Sequence, residues 1–244
     1  MVAHLSPGYW QACFGASLLD LIMFDAAHEN RITSHRFGHV HKEAGADSIY
    51  AARNRIAQIM LDESEAEWCF LIDSDMGFAP DTVEQLVTSA DPEERPVMGG
   101  LAFAQKSAGV GPMFARRYRG VPTVYAMAED GKEVGFLPMV DYPRDSIVKC
   151  AGTGAACLLV HRSAFETVRE EYGDQWFSHV PKKDVEAGQF DHYGEDLSFC
   201  LRLAAVGIPI HVDTAVKTTH DKGGVFFDEE TFDIQEGFRS WLET

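Results

Sequence analysis

Two aspartates separated by one serine, Asp73 and Asp75, directly follow the apolar run Trp68–Ile72. An unbroken apolar run of this length is typical of a strand buried on both faces of a parallel sheet, and open α/β sheets bind ligands beyond the carboxyl ends of their strands. If the chain continues in an extended conformation, both carboxylates project to one side and Ser74 to the other. Paired carboxylates are hard oxygen ligands that suit Mg²⁺ or Mn²⁺. The segment therefore predicts a divalent metal site, with an acidic strand-to-helix turn as the alternative.

A second acidic pair, Glu195 and Asp196, follows Gly194 in the last quarter of the chain. The pattern predicts a helix from Glu195 to about Val206, ended by Gly207, a residue type favoured just after helices. The first backbone N–H groups of a helix have no partner within it. Acidic side chains at this end therefore either cap the helix or face a ligand, and the residues alone leave both interpretations open.

Strands and helices alternate along the chain. The predicted strands are Val2–Leu5, Trp68–Ile72, Pro96–Phe103, Ala155–Val160, Ile208–Asp213 and Val216–Thr219. The predicted helices are Tyr9–Ala27, Ile49–Leu61, Pro80–Ala90, a helix from Ser163 with Glu166 in a capping box, and Glu195–Val206. The segments 105–150 and 173–192 are less regular. The alternation predicts an α/β fold with an open, mostly parallel twisted sheet flanked by helices.

The composition excludes several classes of protein. The chain has 244 residues, 45% hydrophobic and 24% charged, which excludes disorder, collagen-like repeats and disulfide mini-scaffolds. Its net charge of −17 repels nucleic acid and anionic membranes, so a DNA or RNA function would need a local basic patch. The five cysteines form no Cys-x-x-Cys pair and are expected to be free thiols. The stretch Ala12–Phe24 is too short and too charged to span a bilayer. We therefore expect a soluble, cytoplasmic protein without a membrane anchor.

Four segments together resemble the GT-A glycosyltransferases, in particular the nucleotide-sugar-dependent family 2-like group. They are Phe70–Met76, which resembles the DxD segment, Gly152–Ala155 with the strand after it, His192–Arg202 with its Glu-Asp pair, and Val212–His220. The resemblance covers about residues 45 to 223. It implies one GT-A (Rossmann-like) domain over 1–244, with a nucleotide-sugar-binding half at about 1–104, an acceptor and catalytic half at about 105–224, and a peripheral tail at 225–244.

The resemblance also implies roles for individual residues. Asp73, Asp75 and His220 would hold the metal, and the imidazole favours Mn²⁺ over Mg²⁺. Asp196 would be the catalytic base, and Glu195 would hold acceptor or sugar hydroxyls. A helix N-terminus lowers the basicity of a carboxylate, whereas neighbouring negative charges raise it. The donor, a UDP-sugar by family analogy, would bind to Arg53, Asp73, Ser74, Gly152, Gly154 and Lys222.

Several of these residues also have structural interpretations. Arg53 lies on the polar face of its predicted helix and could reach the donor or simply be solvated. Gly152 and Gly154 either let the backbone approach the sugar or form a tight turn. Trp176 is a candidate aromatic platform for an acceptor sugar, or a half-buried core residue.

The predicted reaction is transfer of a sugar from a nucleotide-diphosphate donor to a hydroxyl, with inversion if Asp196 is the base. A retaining GT-A transferase needs no such base and is one alternative. A haloacid dehalogenase-like phosphatase also places Asp-x-Asp after a buried strand, but that family expects Gly-Thr after the pair, where this chain has Met76. The acceptor could be a protein, a glycan or a small molecule, while the charge of −17 makes modified DNA a less expected one.

Overall fold

The computed structural model describes residues 1–40, 47–110, 116–129, 134–182 and 192–243. The strands are β1 Val2–Ser6, β2 His35–His39, β3 Trp68–Ile72, β4 Met76–Phe78, β5 Val97–Leu101, β6 Phe103–Val110, β7 Arg116–Pro122, β8 Val124–Glu129, β9 Val134–Pro138, β10 Ile147–Cys150, β11 Gly152–Thr153, β12 Cys157–His161, β13 Ile210–Asp221 and β14 Phe226–Phe227. The helices are α1 Ala12–Ala27, α2 Asp47–Asp62, α3 Thr82–Ser89, α4 Arg162–Tyr172, α5 Glu195–Ala205 and α6 Glu229–Glu243.

A central sheet has the strand order β2-β1-β3-β12-β5-β13-β10, with β4 and β14 added to β13. Strands β2, β1, β3, β5 and β13 run in one direction, whereas β12 and β10 run antiparallel to them. Helices cover both faces of this sheet. The chain therefore has the predicted α/β fold class, with a largely parallel central sheet flanked by helices.

The central strand β3 is buried on both faces, as its apolar run predicts. Cys69 and Leu71 point into one core, which α2, α4 and α5 cover. Phe70 and Ile72 point into the other, which α1 and α3 cover. Burial of a leucine, isoleucine or phenylalanine side chain such as these contributes about 1.5–3 kcal/mol. The two cores fix β3 in place and therefore fix the position of the aspartates that follow it.

Between Phe103 and Thr153, strand β10 joins the central sheet, whereas β6 to β9 and β11 form structure beside it. Strands β6 and β7 pair into a two-stranded ribbon, and β8 pairs with β9 and β11 in a separate small sheet. The residues expected to be loops and short strands therefore include two antiparallel sheets. Both lie next to the carboxyl end of the central sheet, because Phe103 follows β5 and Thr153 precedes β12.

Two local predictions differ from the structure. The capping box at Ser163 is wrong, because β12 leads directly into α4 and His161 occupies the N-cap, where its ring accepts a hydrogen bond from the Ser163 N–H at 3.3 Å. The two strands predicted after Ile208 form one strand, β13, whose register against β5 shifts between Asp213 and Lys217.

The five cysteines are free thiols, as predicted. Within the described ranges, the chain contains no helix with the length and apolar character needed to cross a membrane.

Candidate active site

The aspartates after β3 lie in a tight turn. The Asp73 N–H donates to the Ala156 carbonyl at 3.1 Å, and the Met76 N–H donates to the Asp73 carbonyl at 3.1 Å. The predicted extended conformation of Asp73–Asp75 is therefore wrong, because the chain reverses here to form β4. That strand pairs antiparallel with β13 and places Met76 opposite His220. The turn thus brings the distant histidine to the aspartates.

Asp75 and His220 contact each other through two atoms that both accept hydrogen bonds, the carboxylate Oδ1 and the imidazole Nε2. The His220 Nδ1 lies 2.9 Å from the Phe103 carbonyl oxygen, which can only accept, so Nδ1 carries the proton. In the neutral ring, Nε2 then presents its lone pair to the Asp75 Oδ1, 3.2 Å away. Both atoms are buried and neither makes a hydrogen bond. Two buried acceptors in contact require a cation or a further proton between them.

A divalent cation fits this pair. In an octahedral shell with bonds of about 2.1 Å, neighbouring ligand atoms lie about 3 Å apart, which is close to the observed 3.2 Å between Nε2 and Oδ1. The Phe103 carbonyl fixes the ring in the way that outer-shell partners fix metal-bound histidines. Carboxylate and imidazole are also the donor set that Mn²⁺ accepts.

Lys222 forms an ion pair with the other oxygen of Asp75, and its Nζ donates to Oδ2 at 2.7 Å. Although burial raises the pKa of Asp75, its close contact with His220 and the charge and hydrogen bond of Lys222 lower it to about 2. Asp75 is therefore ionised at neutral pH. Directly after Lys222, Gly223 and Gly224 adopt φ values of 71° and 87°, which favour glycine.

Arg53 lies in the interior, with its side chain only 2% exposed. Its Nη2 contacts the Asp73 Oδ1 at 3.0 Å and the Asp196 Oδ1 at 3.5 Å, and its Nε lies 3.9 Å from the Glu195 Oε1. Its Nη1 also donates to the Ala155 carbonyl at 3.2 Å. The solvated alternative for Arg53 is wrong, because this guanidinium joins the end of β3 to the start of α5.

Asp196 lies in the first turn of α5, and Gly194 is the N-cap. The N-cap glycine has no side chain with which to cap the helix, and both acidic residues lie within its first turn. Burial raises the pKa of Asp196, the neighbouring Glu195 raises it further, and Arg53 opposes both. The net result is a pKa well above that of an ordinary aspartate. Its Oδ1 is buried without a hydrogen bond, so the carboxylate can take up a proton.

The two glycines of the Gly152–Ala155 segment have different surroundings. A Cβ on Gly154 would lie 3.6 Å from the Asp196 Oδ2, so this backbone borders the carboxylate. A Cβ on Gly152 would lie 2.7 Å from the Phe136 ring. The missing side chain at Gly152 therefore makes room for Phe136 and not for a sugar.

The prediction of an acceptor platform at Trp176 is wrong. Its side chain is 0% exposed, and its ring packs edge-on against Phe165 while its Nε1 donates to the Phe165 carbonyl at 2.8 Å. A fully buried ring offers no face to a sugar.

The structure thus gathers most of the predicted residues at the carboxyl end of β3. They are Arg53, Asp73, Asp75, Gly154, Glu195, Asp196, His220 and Lys222. Ser74 lies in the same turn and is largely buried, and its carbonyl accepts from the Gln11 N–H at 2.9 Å. Within the described part of the chain, no three histidine, cysteine or acidic side chains form a ready metal-binding group. Asp75 and His220 are in contact, whereas Asp73 binds Arg53.

The sequence analysis did not predict two features of the site. The first is the Phe103 carbonyl that orients His220, because a backbone contact of this kind does not depend on the residue type. The buried position of Arg53 had a signal, because Ala57 and Met60 follow it at helical spacing and are both fully buried. That stripe marks Arg53 as facing the core.

Comparisons with known proteins support the fold but do not assign the chain to a family. No family model matches the chain, and no curated protein matches it. Among solved structures, the chain is similar to A197 from STIV, with a TM-score of 0.54 and 12% identity over 94% of this chain and 90% of that one. A CMP:2-keto-3-deoxy-manno-octonic acid synthetase complexed with CTP gives a TM-score of 0.43 and 15% identity over 100% and 98% of the two chains. The likeness to A197 concerns the fold, and the second TM-score is too low to indicate a common one.

Replacing Arg53 by Gln should destabilise the protein by about 3–5 kcal/mol, because it leaves three carboxylates together without their cation. The pKa values of Asp73 and Asp196 are already raised by burial, and loss of Arg53 raises them further. The folded variant then binds more protons than its unfolded chain, so its free energy of unfolding falls as pH rises above about 4. Urea unfolding at pH 5 and pH 8 should show the larger loss at pH 8.

The matched control for this variant is Arg55→Gln. Arg55 lies on the same helix, is 56% exposed and pairs with the exposed Glu63, so its loss should change stability by less than about 1 kcal/mol. Equal losses in the two variants, or a loss at Arg53 that does not vary with pH, would contradict the carboxylate cluster.

Proposed function

We propose that this chain is a metal-dependent glycosyltransferase of the GT-A type, which moves a sugar from a nucleotide-diphosphate donor to an acceptor hydroxyl. The observation that carries the proposal is the contact between two unbonded buried acceptors, the Asp75 Oδ1 and the His220 Nε2, 3.2 Å apart. A carboxylate of raised pKa, Asp196, belongs to the same cluster. A cation site beside a basic carboxylate suits a reaction in which an anion leaves and a hydroxyl loses its proton.

Asp75 and His220 would hold Mn²⁺ or Mg²⁺, with Asp73 as a further predicted ligand. A bound divalent cation supplies positive charge that stabilises the departing diphosphate. Lys222 carries a second positive charge to the same turn, where it now neutralises Asp75. When donor phosphates enter, the Lys222 ammonium can bind them in place of that carboxylate.

Asp196 would act as the general base. Its carboxylate accepts the proton of the acceptor hydroxyl as the oxygen bonds to the anomeric carbon. The bond from that carbon to the phosphate oxygen breaks, and the nucleoside diphosphate leaves with the electron pair. In-line attack of this kind inverts the anomeric configuration. Glu195, beside Asp196 on the same helix turn, would hold sugar or acceptor hydroxyls, and Arg53 would keep both carboxylates in place.

Two alternative reactions make different demands on these residues. A retaining transferase needs no base at Asp196, and the anomeric configuration of the product, measured by NMR, distinguishes it. A phosphatase of the haloacid dehalogenase type needs Asp73 as a nucleophile, whereas the Asp73 Oδ1 binds Arg53 at 3.0 Å. The uracil base of the donor is assigned by analogy with the family alone. UDP-sugars are therefore the first donors to test.

Replacing Asp196 by Asn should lower turnover by about 100-fold or more, because the amide cannot accept the hydroxyl proton. Affinity for the donor should be unchanged, since the amide keeps the shape of the side chain. The measurement is Mn²⁺-dependent release of UDP from UDP-sugars, with and without acceptor. Asp20→Asn, an isosteric change on the exposed face of α1, is the control. Turnover of the Asp196 variant at the wild-type level would remove the base assignment.

Replacing Asp75 by Asn or His220 by Gln should abolish the Mn²⁺-dependent part of UDP binding, because each change removes one of the two proposed metal ligands. Isothermal titration with UDP, in Mn²⁺ and in a metal chelator, measures that part directly. His28→Gln, at an exposed histidine of the α1 C-terminus, should leave it intact. Wild-type Mn²⁺ dependence in the Asp75 and His220 variants would refute the metal site.

A further inference from the structure

The outward side of α1 is apolar along its whole length. Leu19, Ile22 and Met23 are 64%, 44% and 71% exposed, and the alanines on the same side of the helix are exposed as well. The inward side packs Phe14 and Leu18 into the core. A helix that is apolar on nearly all sides is typically buried on all of them. We therefore expect a partner on the outward side of α1.

The outward residues of α1 have the spacing of a helix-pairing seam. They recur at alternating intervals of four and three residues, which keeps them on one line along the helix, and they are Ala12, Ala16, Leu19, Met23 and Ala26. If two such helices pack antiparallel about a twofold axis between residues 17 and 18, Leu19 lies opposite Ala16 of the second copy. Met23 then lies opposite Ala12 in the same way. Large residues opposite small ones interdigitate well, so the seam is complementary to itself, as a symmetric interface requires.

Two aromatic rings extend this surface beyond the helix. Trp10 is 55% exposed, and its Nε1 lies 3.3 Å from the Cβ position of Gly15 in α1. Phe37, on the edge strand β2, is 52% exposed. Both rings pack against the His4 ring, with centroid distances of 6.1 and 5.9 Å. The outward side of α1, Trp10 and Phe37 therefore form one surface, here called the α1 face.

The α1 face is large enough for a stable pair of chains. At about 200 Å² for a whole large apolar residue, the exposed parts of its three aliphatic side chains and two rings come to about 600 Å² per copy, and the alanines add to this. Monomers rarely expose more than a few hundred Å² in one apolar patch. A standard interface buries about 800 Å² on each partner. The area therefore fits contact with a second chain.

The charge of α1 favours a second copy over a membrane as that partner. The helix contains Asp20 and Asp25, and residues 1–30 contain no lysine or arginine. Helices that lie on membranes carry lysine and arginine on their polar side. Asp25 accepts from the N–H groups of Arg31 and Ile32, while Asp20 flanks the seam and is exposed. The repulsion between two chains of charge −17 is screened beyond about 8 Å at physiological salt, so it does not prevent an apolar contact.

We propose that two copies of this chain associate through the α1 face, with their α1 helices antiparallel across a twofold axis. The helix also supports the candidate active site. The Gln11 N–H, just before α1, donates to the Ser74 carbonyl at 2.9 Å, and the Phe78 N–H donates to the Ser17 hydroxyl at 2.9 Å. The pairing would therefore hold in place the helix that contacts the Asp73–Asp75 turn. It does not depend on the proposed reaction.

The test is sedimentation velocity of the full chain at about 1–100 μM. The wild type should sediment as a dimer. Leu19→Glu/Met23→Glu should sediment as a monomer, with Kd raised at least about 100-fold, because each lost apolar contact occurs twice in a symmetric pair. Ala16→Glu, a second variant at an exposed helical position, should also dissociate the dimer. The Kd of the wild type should fall between about 50 and 500 mM NaCl, because salt screens the repulsion between the two chains.

The matched control is Leu137→Glu/Ile234→Glu, which adds the same charge at two exposed apolar positions outside α1, 57% and 53% exposed. It should remain a dimer, and thermal unfolding verifies the fold of each variant. A wild type that is monomeric at the highest concentration, a dimer that persists in both α1 variants, or equal dissociation of the control would each overturn the proposal. Dissociation on adding salt would do so as well, since ion pairs would then hold the dimer. Binding of the wild type to phosphatidylcholine vesicles, lost in the α1 variants, would assign the face to a membrane instead.

Discussion

The buried guanidinium of Arg53 is the interaction on which the site depends. Three carboxylates, Asp73, Glu195 and Asp196, would repel one another at this depth if no cation lay between them. With Arg53 2% exposed and within 3.0–3.9 Å of all three, the end of β3 and the start of α5 can approach each other. One side chain from α2 thus assembles a site from parts far apart in sequence. The same positive charge also limits how basic Asp196 becomes. Burial raises the pKa of Asp196, and Arg53 lowers it.

The second constraint is the path of β13. This strand pairs with β5 in the central sheet and then with β4, which follows the Asp73–Asp75 turn. The pairing delivers His220 to Asp75, and the Phe103 carbonyl at the start of β6 determines which ring nitrogen faces the carboxylate. A backbone carbonyl therefore sets the chemistry of an imidazole. It also links the candidate cation site to the ribbon that begins at Phe103, so both features depend on the same short stretch after β5.

Patterns within a single element were predictable, whereas contacts between elements were not. The strand Trp68–Ile72 matches its prediction residue for residue, because an apolar run needs only its own sequence to be recognised. The start of α5 at Glu195 follows in the same way from Gly194. The turn at Asp73–Asp75 was missed because pairing of β4 with β13 decides it. Trp176 was misjudged because its partner, the Phe165 carbonyl, is fixed only when α4 packs against the segment after it. The stripe that Arg53 shares with Ala57 and Met60 indicates its burial, whereas the carboxylates that pair with it come from two other elements and could not be predicted in this way.

The central claim is that the Asp75 Oδ1 and the His220 Nε2 share a divalent cation. The most direct measurement is an anomalous difference map from crystals of the protein soaked in MnCl₂ with UDP, recorded where manganese scatters anomalously. The account predicts a peak in contact with both atoms, and displacement of the Lys222 ammonium from Asp75. A map without a peak there, in which Lys222 still binds Asp75 while UDP is visible elsewhere, would contradict it.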